Sequence, residues 1–302
     1  TGDRNTFVGY NSGYSNTSGK YNTFIGYRTG YSNTAGYHNT CIGYRAGDNI
    51  TTGSLNTTVG VDCQPFAYNT LASTNIGRSA TAASFSVAIG YSPVASGSHA
   101  IAIGRHSTGT SNYAIAIGGG NAAGNGADAT AIHTIAMGNL STASAANAIA
   151  IGASNTCSSS QGVALGTSCT TSTAAFSTVI GQSSSCTGES SVSIGTISIA
   201  SGTRSIAIGR HPDATMNHTI AIGSYATGTG VYAIAIGSGT AAGDGADATA
   251  DRAIAIGRAS TSSNVVTVAI GSSASATNWG AAAVGFGTSS TGFKSTAIGY
   301  GA

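Results

Sequence analysis

Residues 98–106 read SHAIAIGRH, and the five-residue core AIAIG returns in near-copies along the whole chain. SVAIG (86–90), YAIAIG (113–118), HTIAMG (133–138), NAIAIG (147–152), TVAIG (267–271) and STAIG (295–299) all stop at a glycine. Twenty such glycines can be marked, from Gly9 and Gly26 to Gly285 and Gly299. The first four intervals are 17 residues and nearly all later ones are 14, apart from a 13, a 15 and two of 20. Repeats of this length are the signature of a stacked architecture, in which one unit cannot bury its apolar face alone.

Glycine interrupts every apolar run after about five residues, too soon for a helix, while Ile-x-Ile has the period of 2 that belongs to a strand. The expected fold is therefore all-β: a parallel β-solenoid of about 20 coils, each with one Gly-ended strand, a turn, a Ser/Thr-rich second strand and another turn. At about 4.8 Å per coil, the stack is expected to reach on the order of 95 Å. Two repeat segments are expected, 1–77 with the 17-residue period and 78–302 with the 14-residue period. Inserted loops fall near 119–131 and 238–250. The two loops lie 119 residues apart and flanking glycines match at that offset, so 85–180 and 204–299 read as a duplicated block. Because both ends cut through the repeat, with Thr1-Gly2 falling where Ser18-Gly19 sits one repeat later, the chain reads as a segment of a longer fibre.

Strand alternation separates two faces. Ile89, Ile101, Ile103, Ile115, Ile117, Ile149, Ile151, Ile206, Ile208, Ile234 and Ile236 are expected to fill the inside of the coils. Ala88, Ala102, Ala116, Ala150, Ala207, Ala221 and Ala235, between them, are expected to form a thin, flat apolar face against a sister chain, since a long apolar strip facing water needs a partner. In the 17-residue repeats NTFVGYNSGYSNTSGKY (5–21), NTFIGYRTGYSNTAGYH (22–38) and NTCIGYRAGDNITTGSL (39–55), stacking aligns Asn5, Asn22, Asn39 and Asn56 as a hydrogen-bonding ladder. Thr6, Thr23, Thr40 and Thr57 form a second row, and Tyr10, Tyr27 and Tyr44 an aromatic column.

Composition excludes several functions. Charged residues are 7% and the net charge is +2, so no basic stripe exists for nucleic acid. No window of 18 apolar residues is present, so no membrane insertion is expected from this segment. The five cysteines carry no CxxC pair and no histidine at zinc spacing, and read as mostly free, small, buried residues. With nine acidic residues, mostly isolated, and no G-x-S-x-G elbow, no enzyme site and no cofactor are expected.

Candidate contacts to a receptor or glycan are Tyr10, Tyr27, Tyr44, Arg28 and Arg45, since aromatic faces and guanidinium planes stack on ligands, together with Asp128 and Asp247 of the inserted loops. The alternative for the tyrosines is simple packing over turns or between subunits. Asp244, Asp247 and Asp251 could hold calcium, but they miss the D-x-D-x-D-G spacing. His106 and His211, each after an arginine, are either exposed turn residues or metal ligands shared between neighbouring chains. Trp279 is expected to fill an irregular coil.

The SVAIG, AIAIG and STAIG strands at 14-residue spacing resemble the head repeats of YadA-type trimeric autotransporter adhesins over about 78–302. The NTFIGYRTGYSNTAG repeats of about 1–77 are similar to those of phage and viral tail-fibre proteins. The resemblance implies a left-handed β-roll, three chains side by side, and adhesion without catalysis. It further implies an extracellular site, on a bacterial cell surface or a virion, and a host-surface glycan or protein as a possible receptor. A self-assembling structural filament is the first rival. An ice- or surface-binding solenoid is the second, and it needs a regular two-column threonine face, whereas the clear threonine column stops near Thr74.

Overall fold

The computed structural model describes residues 2–302, which are all-β with no helix among them. The expected match of Thr1 to Ser18 lies outside the described residues. The chain is a parallel β-solenoid that divides into two compact units, Thr1–Ser154 and Asn155–Ala302. Each unit contains ten of the Gly-ended strands, three to five residues long, and from Gln64 onward each coil adds a two-residue second strand. Equivalent strands of successive coils pair in parallel and in exact repeat register: Ile101 lies beside Val87 and Ile115, Ala102 beside Ala88 and Ala116. The change of period near residue 77 falls inside the first unit, and the ladder runs through it, Thr74 opposite Val87 and Ile76 opposite Ile89.

The two faces are the reverse of those expected. Ala88, Ala102, Ala116 and Ala150 in the first unit, and Ala207, Ala221 and Ala235 in the second, are all 0% exposed within a single chain, so they cannot be a surface for a sister chain. They are the interior. Ile89, Ile101, Ile103, Ile115, Ile117, Ile149, Ile206, Ile208 and Ile234 are only partly buried, and Ile151 and Ile236 remain 37% exposed; these isoleucines point outward. The physical reason is the narrowness of the coil. Four inward positions per 14-residue coil, such as Ala100, Ala102, Ser107 and Gly109, meet back to back, and all are small. A methyl added at Gly109 would already lie 3.3 Å from the Ile101 carbonyl oxygen and 3.6 Å from Ala100 Cβ. No branched side chain pair fits there, and strand alternation sends the isoleucines out.

The 17-residue coils are wider. Down the inward column Phe24 pairs with Cys41, Cys41 with Thr58, Thr58 with Asn75 and Asn75 with Ala88, so the core narrows as the period shortens. Phe24 stacks on Phe7 with ring centroids 5.1 Å apart and shares a core with Cys41, Ala46 and Ile50. The asparagine ladder forms as expected. Asn22 Nδ2 donates to the Gly36 carbonyl at 2.8 Å, and its Oδ1 accepts from the Asn39 amide at 2.9 Å. Asn39 repeats both bonds one coil further, to Gly53 and from Asn56. Buried amides are thereby satisfied twice over, with one bond closing each coil and one joining it to the next. In the shorter coils a hydroxyl takes over the closing bond, Ser86 Oγ donating to the Gly97 carbonyl at 2.7 Å.

The terminal glycine of each strand has a specific cause. Gly104 has φ +122°, outside the range of side-chain-bearing residues, and a Cβ on it would lie 2.6 Å from the Gly118 carbonyl oxygen of the next coil. The corners instead use non-glycine residues in the left-handed region, seven apart, such as His99, His106 and Tyr113. That conformation costs about 1–2 kcal/mol per residue, and inter-coil bonds such as His106 N–H to the Tyr91 carbonyl at 2.9 Å offset it.

All five cysteines are free and buried. Burial pushes the Cys63 thiol up to about 12 and the Cys186 thiol up to about 11. A thiolate-directed reagent at pH 8 is therefore expected to leave the native protein unlabelled and to modify all five thiols in denaturant; fast labelling of the native chain would show that the coils open.

Candidate functional site

The outward residues of the two strands make two chemically different surfaces in each unit. On the first-strand face of the second unit, Val192 and Ile194, Ile206 and Ile208, Ile220 and Ile222, Ile234 and Ile236, and Ile254 and Ile256 continue in register as two apolar rows. In the first unit Val87 and Ile89 lead through Ile101 and Ile103, Ile115 and Ile117, and Ile135 and Met137 to Ile149 and Ile151. The second-strand face carries hydroxyls. Thr156, Thr170 and Ser185 form one row in the second unit, and Ser158, Ser172 and Thr187, two residues on, another. The continuous threonine column of the Gly-ended strand stops at Thr74, as expected, with Thr178 and Thr296 as isolated later members, but this second two-column face was not read from the sequence. Its signal was present, an [ST]-x-[ST] pattern that starts four residues past many of the marker glycines. Ile199, Asp213 and Asp247 interrupt it.

The tyrosine column is real. Tyr10 stacks on Tyr27 at 5.5 Å and Tyr27 on Tyr44 at 5.1 Å, nearly parallel, with Tyr10 68% exposed. A parallel second pair, Tyr14 and Tyr31, stacks at 5.1 Å. Stacking occupies the ring faces between neighbours, so the column presents ring edges and hydroxyls instead of open faces. Arg28 is likewise engaged, its guanidinium 4.2 Å from the Tyr31 centroid and Nη2 3.6 Å from Asp48 Oδ2. Arg45 binds the same, largely buried carboxylate through Nε at 3.1 Å and reaches Asp62 at 3.6 Å. The aspartate raises the Arg45 pKa by hydrogen bonding and by charge. A shallow cleft beside this cluster is lined by Ser32, Arg45, Asp48, Asn49 and Gln64.

The inserted loops leave the coil between its first and second strands, after Ile115–Ile117 and Ile234–Ile236, and rejoin at Asp128–Ala129 and Asp247–Ala248. Asp128 and Asp247 lie on the second strands themselves, half-buried, with their carboxyls raised by burial and held by the hydroxyls of Thr108 and Thr227. The three candidate calcium ligands are not brought together. Asp244 pairs with Arg258 at 3.6 Å and accepts from Thr240 at 2.7 Å, Asp247 faces Thr227, and Asp251 Oδ1 accepts from the Val231 amide at 2.9 Å. Among the described residues no group of three or more His, Cys, Asp or Glu could hold a metal ion. His106 packs edge-on against Tyr91, and His211 stacks on Tyr225. Trp279 does not fill a coil: it is 40% exposed, stacked on Phe293 at 5.2 Å with Lys294 Nζ 5.0 Å from its centroid.

No match was found among curated proteins. A profile of the YadA head domain repeat matches residues 83–107, 95–121, 129–155, 187–211, 214–240 and 238–260, all within the 14-residue repeats. These matched stretches carry Gly-ended strands and the second inserted loop, while the first loop falls mostly between two of them, and over them the chain is built of YadA head domain repeats.

Proposed function

We propose that the chain is a non-enzymatic, adhesive and structural segment of an extracellular fibre, in which three copies lie side by side with their isoleucine faces turned inward. The observation that carries this reading is the pair of apolar rows on the outside of a solenoid whose interior is already filled by alanine. A partly exposed Ile gains about 0.5–1 kcal/mol when its remaining third is covered, as a fraction of the 1.5–3 kcal/mol for full burial. Summed over the ten strands of a unit, that is on the order of 10 kcal/mol, comparable to the association cost of about 4–15 kcal/mol. YadA-type heads are trimeric surface adhesins, which supports three chains over two and a bacterial cell surface as the location. The membership of 1–77 in a tail-fibre-like repeat class, and with it a virion, is the remaining part of the proposal that rests on repeat resemblance alone. No helix of the described residues is long and apolar enough to cross a membrane.

Sedimentation equilibrium tests the arrangement. The expected mass is three times the 29.3 kDa of the chain. A monomer would overturn the trimer, and an open-ended mass distribution would favour the filament. Attachment itself is checked by the binding of labelled trimer to host cells, where no retention over a shuffled-loop variant would remove the adhesive role.

A further inference from the structure

The second inserted loop roofs a small cavity in the second unit that its counterpart in the first unit does not reproduce chemically. The backbone of the two loops is the same. Gly120 N–H donates to the Arg105 carbonyl as Gly239 does to Ser224, and Asn125 N–H to Ala122 as Asp244 does to Ala241. Gly124 and Gly243 share φ values of +80° and +84°, and a side chain on either would point into open space. Beneath the second loop lies a cavity of about 200 Å³ lined by His211, Asp213, Tyr225, Thr227, Ala242 and Gly243. At the 119-residue offset the first block has Ser92 for His211, Val94 for Asp213 and His106 for Tyr225. The frame is shared, and the floor differs chiefly by a carboxylate in place of a valine.

Asp213 is the unusual member. Asp128 and Asp247, at the same position of their coils, each accept a threonine hydroxyl, whereas the half-buried Asp213 carboxylate makes no hydrogen bond or ion pair among the described residues. Burial pushes its carboxyl up, with only the neighbouring His211 acting against it. A half-buried carboxylate that no protein donor engages is free to accept from a ligand. Arg210 lies beside the cavity without lining it, its guanidinium 4.8 Å from the Tyr225 centroid and its Nη2 3.4 Å from the Thr240 carbonyl of the loop. That fixed cation disfavours a cationic ligand, and the carboxylate disfavours an anion. One carboxylate and one imidazole are too few ligands for a metal ion. What remains is an uncharged ligand rich in O–H donors, and the volume, below the 300–1,000 Å³ of drug-sized pockets, holds one ring.

We propose that the cavity formed by His211, Asp213, Tyr225 and the loop residues Ala242 and Gly243 binds a single neutral sugar unit, with the Asp213 carboxylate accepting ring hydroxyls. The proposal names a ligand class for the adhesive reading but does not depend on trimer formation, so the mass measurement and the sugar titration fail separately. The test is titration of the whole chain with the methyl glycosides of glucose, galactose, mannose and N-acetylglucosamine, read by saturation-transfer NMR and calorimetry. At least one glycoside is expected to bind, and Asp213→Val, which installs the first block's residue, is expected to weaken it about tenfold or more. Ala242→Trp, on the exposed loop, is expected to abolish binding by filling the cavity while the thermal melt is unchanged, which separates loss of the site from loss of the fold. Absence of binding by any of the four glycosides, binding unchanged in Asp213→Val, or tight binding of choline or calcium at Asp213 in their place would each overturn it.

Discussion

Ala207→Phe is expected to destabilise the second unit by about 3 kcal/mol or more, whereas Ile208→Ala, its immediate neighbour, is expected to leave the fold of a single chain intact and weaken association instead. Ala207 is fully buried between the two strands of its coil, flanked by Ser193 and Ala221 in register. The largest residue in that column among the 14-residue coils is Val179. Phenylalanine occupies the same column only in the wider 17-residue coils, at Phe7 and Phe24, where Gly13 and Gly30 make room: a Cβ at these glycines would stand 2.6 Å and 2.4 Å from the two rings. Chemical denaturation at low protein concentration, paired with sedimentation, separates the two effects. If Ala207→Phe were tolerated and Ile208→Ala unfolded the chain, the inside and outside assigned here would be interchanged.

Gly195→Ala is expected to break the stack at one place. Gly195 sits at φ +136°, and its added methyl would lie 1.8 Å from the Gly209 carbonyl oxygen, a backbone atom that cannot move without shifting a whole coil. Backbone strain of about 1–3 kcal/mol and overpacking of about 1–3 kcal/mol together predict a loss of about 2–6 kcal/mol. Because each coil touches only its neighbours, the damage should be local. Amide exchange is expected to rise across the Val192–Thr196 and Ile206–Arg210 strands and to stay unchanged several coils away. Gly109→Ala is the control: half of the second strands carry alanine there, as at Ala95 and Ala129 in its own register, and its stability is expected to stay within about 1 kcal/mol of the parent. Equal effects of the two substitutions would mean that the glycine column is not set by the close approach of successive coils.

Much of the architecture was legible because a solenoid repeats its evidence. The marker glycines located the strands, the repeat length predicted which residues pair, and the Asn5–Asn22–Asn39–Asn56 row followed directly from the period. The chemistry of the loops was less legible. Asp247 and Asp244 looked like one acidic cluster in sequence, yet one lies on a strand beside Thr227 and the other on the roof beside Arg258. Asp213, far from the loop in sequence, is brought beneath it by the return of the chain two coils later, a contact no local pattern carries.

The inside–outside assignment shows where reading the chain alone stops. By itself the sequence determined the strands, their parallel stacking, the register and the glycine at each strand end, since each depends on local conformation or on the period. It did not determine which face of Ile101-Ala102-Ile103 is buried. A period of 2 is symmetric under exchange of faces, and the usual expectation that bulk goes inside holds only when the enclosed space is wide enough. The hint was there in the same column, where Thr57, Thr74, Thr178 and Thr296 replace isoleucine, as an outward position allows. What decided it was the close back-to-back approach of the second strand, whose own inward residues are mostly alanine, glycine, serine and cysteine, leaving between the two strands little more room than a small side chain needs.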